Sequence, residues 1–139
     1  MSDLVLDASV ATKMFLEVPG HKQALAIADT SKFLAPRLIL TETSNALWKY
    51  VRRGDVSVVD AQDAVRQLNN WVTIIDDFNV VSQALKLACD LDHPVYNCTY
   101  LAIARMKALP LLTADKRLIK LAKDQNLDVV DLAQISIVN

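Results

Sequence analysis

Three acids and one amide stand where this chain could do chemistry: Asp7, Glu42, Asn97 and Asp115. Asp7 closes the apolar run Val5-Leu6 and is followed by the small residues Ala8-Ser9, while Asp115 follows Pro110-Leu111-Leu112 and the small turn Thr113-Ala114. In both stretches an apolar strand runs into an acid at the mouth of a helix. A lone Asp so placed is usually a helix cap. Two such strands lying parallel in one sheet would instead bring both carboxylates to its C-terminal edge, where open α/β sheets hold their ligands. Two carboxylates about 5 Å apart repel by roughly 3 kcal/mol at an effective dielectric near 20, so three crowded acids call for a positive counter-charge. A divalent cation is the simplest one. An all-oxygen donor set without His or Cys favours Mg²⁺ or Mn²⁺ over zinc, and such sites keep waters that can serve as nucleophiles. That chemistry suits hydrolysis of a phosphodiester, the cation lowering the water pKa and neutralising charge on the phosphate.

The elements that would position these groups alternate along the chain. Strands are expected at Leu4 to Leu6, Phe33 to Ala35, Val72 to Ile75, Leu111-Leu112 and Val129-Val130, with a short polar-ended tail after the last. Helices are expected from Ala8 to Leu16, from His21 to Thr30 and from Arg37 to Arg53. Others follow Ser57, run from about Val80 to Leu91, from Asn97 to Leu109 and from Lys116 to Gln125. Leu40, Ser44, Leu47 and Val51 form an apolar stripe widened by Ile39, Ala46 and Tyr50; Glu42, Asn45 and Lys49 follow at helical spacing beside it. Val58, Ala61, Val65 and Leu68 make the next inner face; Val80 or Val81, Ala84, Leu85, Ala88 and Leu91 make the one after. Strands alternating with helices predict a single three-layer α/β/α domain over residues 1–139, with a mainly parallel central sheet.

Composition narrows the function. The 139 residues carry a net charge of -1, which gives no global reason to bind nucleic acid and leaves that task to local basic patches. Only two glycines, Gly20 and Gly54, are present, too few for the Gly-rich phosphate loops of nucleotide cofactors. No apolar run is long enough to span a bilayer and the first residues do not read as a signal peptide, so a cytoplasmic protein without membrane partners is expected. Cys89 and Cys98 read as small core residues, and no Cys or His spacing marks a zinc site. Trp48 and Trp71 are expected in core or dimer packing, His93 in a loop before Pro94, and Asp90 and Asp92 as solvated acids at a helix end. His21 and His93 show no pattern of a general base.

Four segments, in this order and spacing, carry a resemblance: Val5-Leu6-Asp7-Ala8-Ser9, Thr41-Glu42-Thr43-Ser44-Asn45-Ala46-Leu47, His93-Pro94-Val95-Tyr96-Asn97-Cys98-Thr99-Tyr100-Leu101-Ala102-Ile103-Ala104, and Leu112-Thr113-Ala114-Asp115-Lys116-Arg117-Leu118. The chain resembles the PIN-domain nucleases over its whole length, and most closely the VapC-type toxins of toxin–antitoxin modules. The resemblance implies a sheet sandwiched by helices, an endoribonuclease dependent on Mg²⁺ or Mn²⁺, a homodimer, and inhibition by an antitoxin protein. It implies metal ligation by Asp7, Glu42 and Asp115, with the Thr113 hydroxyl orienting the last acid or its water. Asn97 stands where the family has Asp. An amide oxygen can still ligate Mg²⁺, but it cannot act as a base and it removes one negative charge. A working ribonuclease toxin and a catalytically impaired partner that still binds its antitoxin are therefore both consistent with the sequence. Of the cations that could border the acids and hold RNA phosphates (Lys13, Lys49, Arg52, Arg53, Lys116 and Arg117), Lys116 and Arg117 are best placed. A phosphoryl-transfer receiver or a haloacid-dehalogenase-like phosphatase is disfavoured, because Asp7-Ala8-Ser9 lacks the paired acids or the Asp-x-Asp such chemistry needs.

Overall fold

A computed structural model describes residues 2–137; the end of the expected tail lies outside them. Its strands are β1 (Ser2–Leu6), β2 (Ser31–Pro36), β3 (Val72–Ile75), β4 (Leu111–Thr113) and β5 (Val129–Asp131). The helices are α1 (Ala8–Phe15), α2 (His21–Ala28), α3 (Leu38–Arg52), α4 (Val58–Trp71), α5 (Phe78–Leu91), α6 (Val95–Lys107) and α7 (Lys116–Asp124). A 3₁₀ turn, Leu132–Gln134, is the last element of the described chain. All strand pairs are parallel and the sheet order is β3-β2-β1-β4-β5. Leu4, Val5 and Leu6 are buried in succession, as are Leu111, Leu112 and Thr113, because helices cover both faces of the central strands. The result is the three-layer α/β/α arrangement expected from the alternation of elements.

Topology makes the site. From β1 the chain builds outward through β2 to β3, then crosses to the other side of β1 for β4 and β5. Such a reversal opens a crevice between the carboxyl ends of the two strands that flank it, here β1 and β4. Leu6 stands opposite Leu112 in the register, and the Asp7 backbone N–H donates to the Leu112 carbonyl at 3.2 Å, so Asp7 emerges beside Thr113.

Turn chemistry follows local rules. Ser57 caps α4 by accepting the Asp60 N–H at 3.0 Å, and Asp77 caps α5 by accepting that of Asn79 at 2.9 Å. Gly20 precedes α2 with φ +98°, and a Cβ there would meet the Lys13 side chain at 2.9 Å, so glycine answers both needs.

Several expected faces are rotated. On α3 the buried residues are Ile39, Thr43 and Leu47. Leu40, Ser44 and Val51 are only half-buried, because that side of α3 faces α4 across an apolar groove of about 360 Å³. Ser44, Leu47, Trp48 and Val51 line it from α3, and Val58, Ala61, Gln62 and Val65 line it from α4. Leu68 is the one residue of the expected α4 face that is fully buried; Val58 is 59% exposed. On α5 the inward residues are Val80, Ala84 and Leu87, which turns Leu85 outward together with Phe78, Val81 and Cys89. Cys89 is therefore a surface residue and not core, whereas Cys98 is buried. Neither tryptophan enters the core. Trp48 is half-exposed under the Arg52 guanidinium, and Trp71, at the end of α4, stacks on Phe15 with centroids 5.5 Å apart. No helix of the described residues is long and apolar enough to cross a membrane.

Candidate active site

Asp7 sits at the crevice, 5% exposed, in the cap position of α1, yet its side chain makes no capping bond. Its Oδ2 is instead held from two sides. The Ser9 hydroxyl donates to it at 2.6 Å and the Thr113 hydroxyl at 2.7 Å, the two hydroxyl oxygens standing 3.3 Å apart. Each hydroxyl has spent its proton on Asp7 and so presents only lone pairs to the turn behind it. The Ala114 backbone N–H fills one, donating to Ser9 Oγ at 3.0 Å, and the Asp115 N–H fills the other, donating to Thr113 Oγ1 at 3.0 Å. The β1–α1 and β4–α7 turns are thus stitched together through one carboxylate oxygen.

Asp115 follows as the cap of α7. Its Oδ1 accepts the Arg117 N–H at 2.9 Å and that of Leu118 at 3.3 Å, so helix formation and site geometry share one side chain. Glu42 arrives from the second turn of α3, beyond the first-turn position at which an acid would serve the helix dipole. The Tyr100 hydroxyl of α6 donates to Glu42 Oε1 at 2.8 Å.

Electrostatics ties these acids to one centre. Burial pushes the Asp7 carboxyl above its ordinary range; the two hydroxyls pull it back, and the charge of Asp115 raises it again. Glu42 is raised by burial and by the charge of Asp7, against the lowering effect of Tyr100. Tyr100 itself is pushed far up by burial and by both carboxylates, so its hydroxyl keeps its proton and remains a donor.

Asn97 is placed differently. It lies inside the first turn of α6, with Pro94 and not Asn97 in the cap position, and its Nδ2 contacts His93 Nε2 at 3.0 Å. His93 is thereby bonded to a candidate site residue; the i, i+4 spacing carried that signal. Ser9 and Tyr100, which sequence reasoning did not single out, are the supports of Asp7 and Glu42. Their signal lay in the motifs, but nothing in residue type told a supporting hydroxyl from a packed one.

Lys116 and Arg117 are exposed beside Asp115 at the start of α7. Lys13 is tied to the Pro19 carbonyl at 2.9 Å, and Arg53 lies over Tyr50 and pairs with Asp55 at 3.7 Å. Asp90 pairs with Lys86 at 2.9 Å, and Asp92 is the left-handed cap of α5. Among the described residues no three His, Cys, Asp or Glu side chains gather as a ready-made cage for an ion. The donors fit a hard divalent cation bound through one or two carboxylates and retained water, the usual habit of Mg²⁺.

Comparison with known proteins agrees with this fold. The PIN domain family model matches residues 4–124. The chain belongs to the PIN domain family. A Pyrobaculum aerophilum protein named Ribonuclease VapC3 is 28% identical over 119 residues, covering 83% of this chain and 91% of that protein. The crystal structure of Mycobacterium tuberculosis VapC20, a toxin described as cleaving the sarcin–ricin loop, superimposes with a TM-score of 0.68 at 17% identity over 84% of this chain and 93% of its own. VapBC2 from Rickettsia felis, solved bound to a DNA fragment of its promoter, gives 0.68 at 14% identity over 93% and 98%. At these identities the two structures establish a shared fold, and the relatives are VapC proteins as the four sequence segments implied.

A stability test follows from the buried carboxyl. The folded state raises the Asp7 pKa above its model-peptide value of 3.8, so the native protein binds this proton more tightly than the unfolded chain. The contribution to stability is full below that value and is lost as pH rises through the folded pKa. In metal-free buffer Asp7→Asn, whose amide oxygen still accepts from both hydroxyls, is expected to melt above the parent at pH 7. The gap should close as pH falls toward 3.8. Equal melting temperatures across that range would show that burial of the charge is not felt.

Proposed function

We propose that this chain is a VapC-like endoribonuclease toxin dependent on Mg²⁺ or Mn²⁺, one nuclease unit over residues 1–139, with Asp7, Glu42 and Asp115 as cation ligands. The observation that carries the reading is Asp7, locked by two hydroxyls at the β1–β4 crevice and placed so that the charge of Asp115 acts on it and its own charge acts on Glu42. When bound, the cation neutralises charge on the scissile phosphate and acidifies the attacking water. The residues of the chain supply the rest. Ser9 and Thr113 hold one oxygen of Asp7 and leave the other outside these two bonds. Thr113 fixes the backbone of Asp115 through its N–H, and Tyr100 fixes Glu42. Lys116 and Arg117 stand at the rim, where their charges suit the RNA backbone.

Asn97 adds an oxygen donor without charge and cannot take a proton. Its presence favours a second reading, in which the fold and its antitoxin-binding surface are kept while cleavage is weakened. An antitoxin protein is proposed as partner for the apolar groove between α3 and α4, whose exposed Trp48 and Val58 lack cover among the described residues. A homodimer is proposed from the outward face of α5, where Phe78, Val81 and Leu85 are 79%, 56% and 56% exposed.

RNA cleavage with Mg²⁺ or Mn²⁺ tests the first reading against the second. The chain as it stands is expected to cut, Asp7→Ala to lose about 100-fold or more, and Asn97→Asp to gain no more than about tenfold. Cleavage only after Asn97→Asp would make the chain a disarmed nuclease; no cleavage by either would overturn the nuclease assignment. Light scattering is expected to give a dimer at micromolar concentration and a monomer for Leu85→Glu, and a monomeric parent would remove the dimer.

A further inference from the structure

Tyr100 is the largest fully buried side chain of the described structure, and its hydroxyl donates its one proton to Glu42 Oε1 at 2.8 Å while the Ala8 backbone supports the oxygen. The ring is fixed by the core around α6, where Cys98 to Ala104 form a buried run. Glu42 has the opposite character. It is half-buried on α3, with three rotatable bonds and an adjacent like charge on Asp7 that drives its carboxylate toward solvent. A flexible acid repelled by its neighbour needs an anchor, and a rigid buried phenol is one.

We infer that Tyr100 is a positioning residue whose hydroxyl holds one oxygen of Glu42 so that the other faces the centre shared with Asp7. The anchor comes from a third element: α6 fixes a side chain of α3 against the turn that ends β1. Loss of the hydroxyl leaves the ring and the core in place, and Glu42 is the one side chain it frees. This inference rests on the assignment of Asp7 and Glu42 as cation ligands.

The test is Mn²⁺ binding by calorimetry, with melting in chelator as the check on folding, for the parent, Tyr100→Phe, Glu42→Gln and the double variant. Tyr100→Phe is expected to bind roughly 10- to 100-fold more weakly while melting cooperatively. The double variant should bind no more weakly than Glu42→Gln alone, because the hydroxyl acts only through that carboxylate. Should Tyr100→Phe fail to fold, Glu42→Asp leaves the core untouched and withdraws the carboxylate from the phenol, and the same loss is expected. Parent-like affinity in Tyr100→Phe, or in Glu42→Asp, overturns the positioning role while leaving the ligand assignment standing. So does a loss that adds in full to that of Glu42→Gln. A parent that binds no Mn²⁺ overturns both.

Discussion

One carboxylate oxygen organises this molecule. Asp7 Oδ2 accepts two hydroxyls, and each hydroxyl accepts a backbone N–H from the turn that follows β4. The arrangement satisfies four polar groups with one buried acid, and two of its links, Thr113 to Asp7 and Ala114 to Ser9, cross between the turns that end the first strand and the fourth. A buried charge this close to a second carboxylate is unfavourable without support. Burial and the charge of Asp115 raise its pKa despite both hydroxyls, so its charged form is kept at some expense of stability.

The sheet order exists to make that crossing possible. With β1 central and the chain reversing direction around it, β1 and β4 are, among the described strands, the adjacent pair whose connections part to opposite sides. Helices then deliver the remaining groups: α3 brings Glu42, α6 brings Tyr100, and α7 begins on Asp115. Asp115 is the cap of α7, so the start of α7 cannot drift without moving the carboxylate. Asn97 is the exception, its amide turned to His93 on the preceding loop.

Much of this was legible in the sequence where a residue's role depends on its neighbours along the chain. The five strands and the caps Ser57 and Asp115 followed from periodicity and turn chemistry, and the pairing of Asp7 with Asp115 followed from two strand–acid repeats. What escaped was set by tertiary contact. The α3 stripe lay a notch away from the expected one because α3 packs on α4 as well as on the sheet. Leu85 and Cys89 were assigned inward because α5 is apolar on both sides and periodicity cannot choose between them. Tyr100 was hidden for a similar reason, because a partner 58 residues away leaves no local trace, and the link from Ser9 to the turn after β4 was hidden in the same way.

The central claim is that the Asp7 crevice is a divalent-cation site, and crystals grown with Mn²⁺ test it most directly through the anomalous signal of the ion. A peak beside the carboxylates of Asp7 and Asp115, absent in crystals of Asp7→Asn, is expected. Peaks confined to other surfaces, or an unchanged peak in Asp7→Asn, would contradict it.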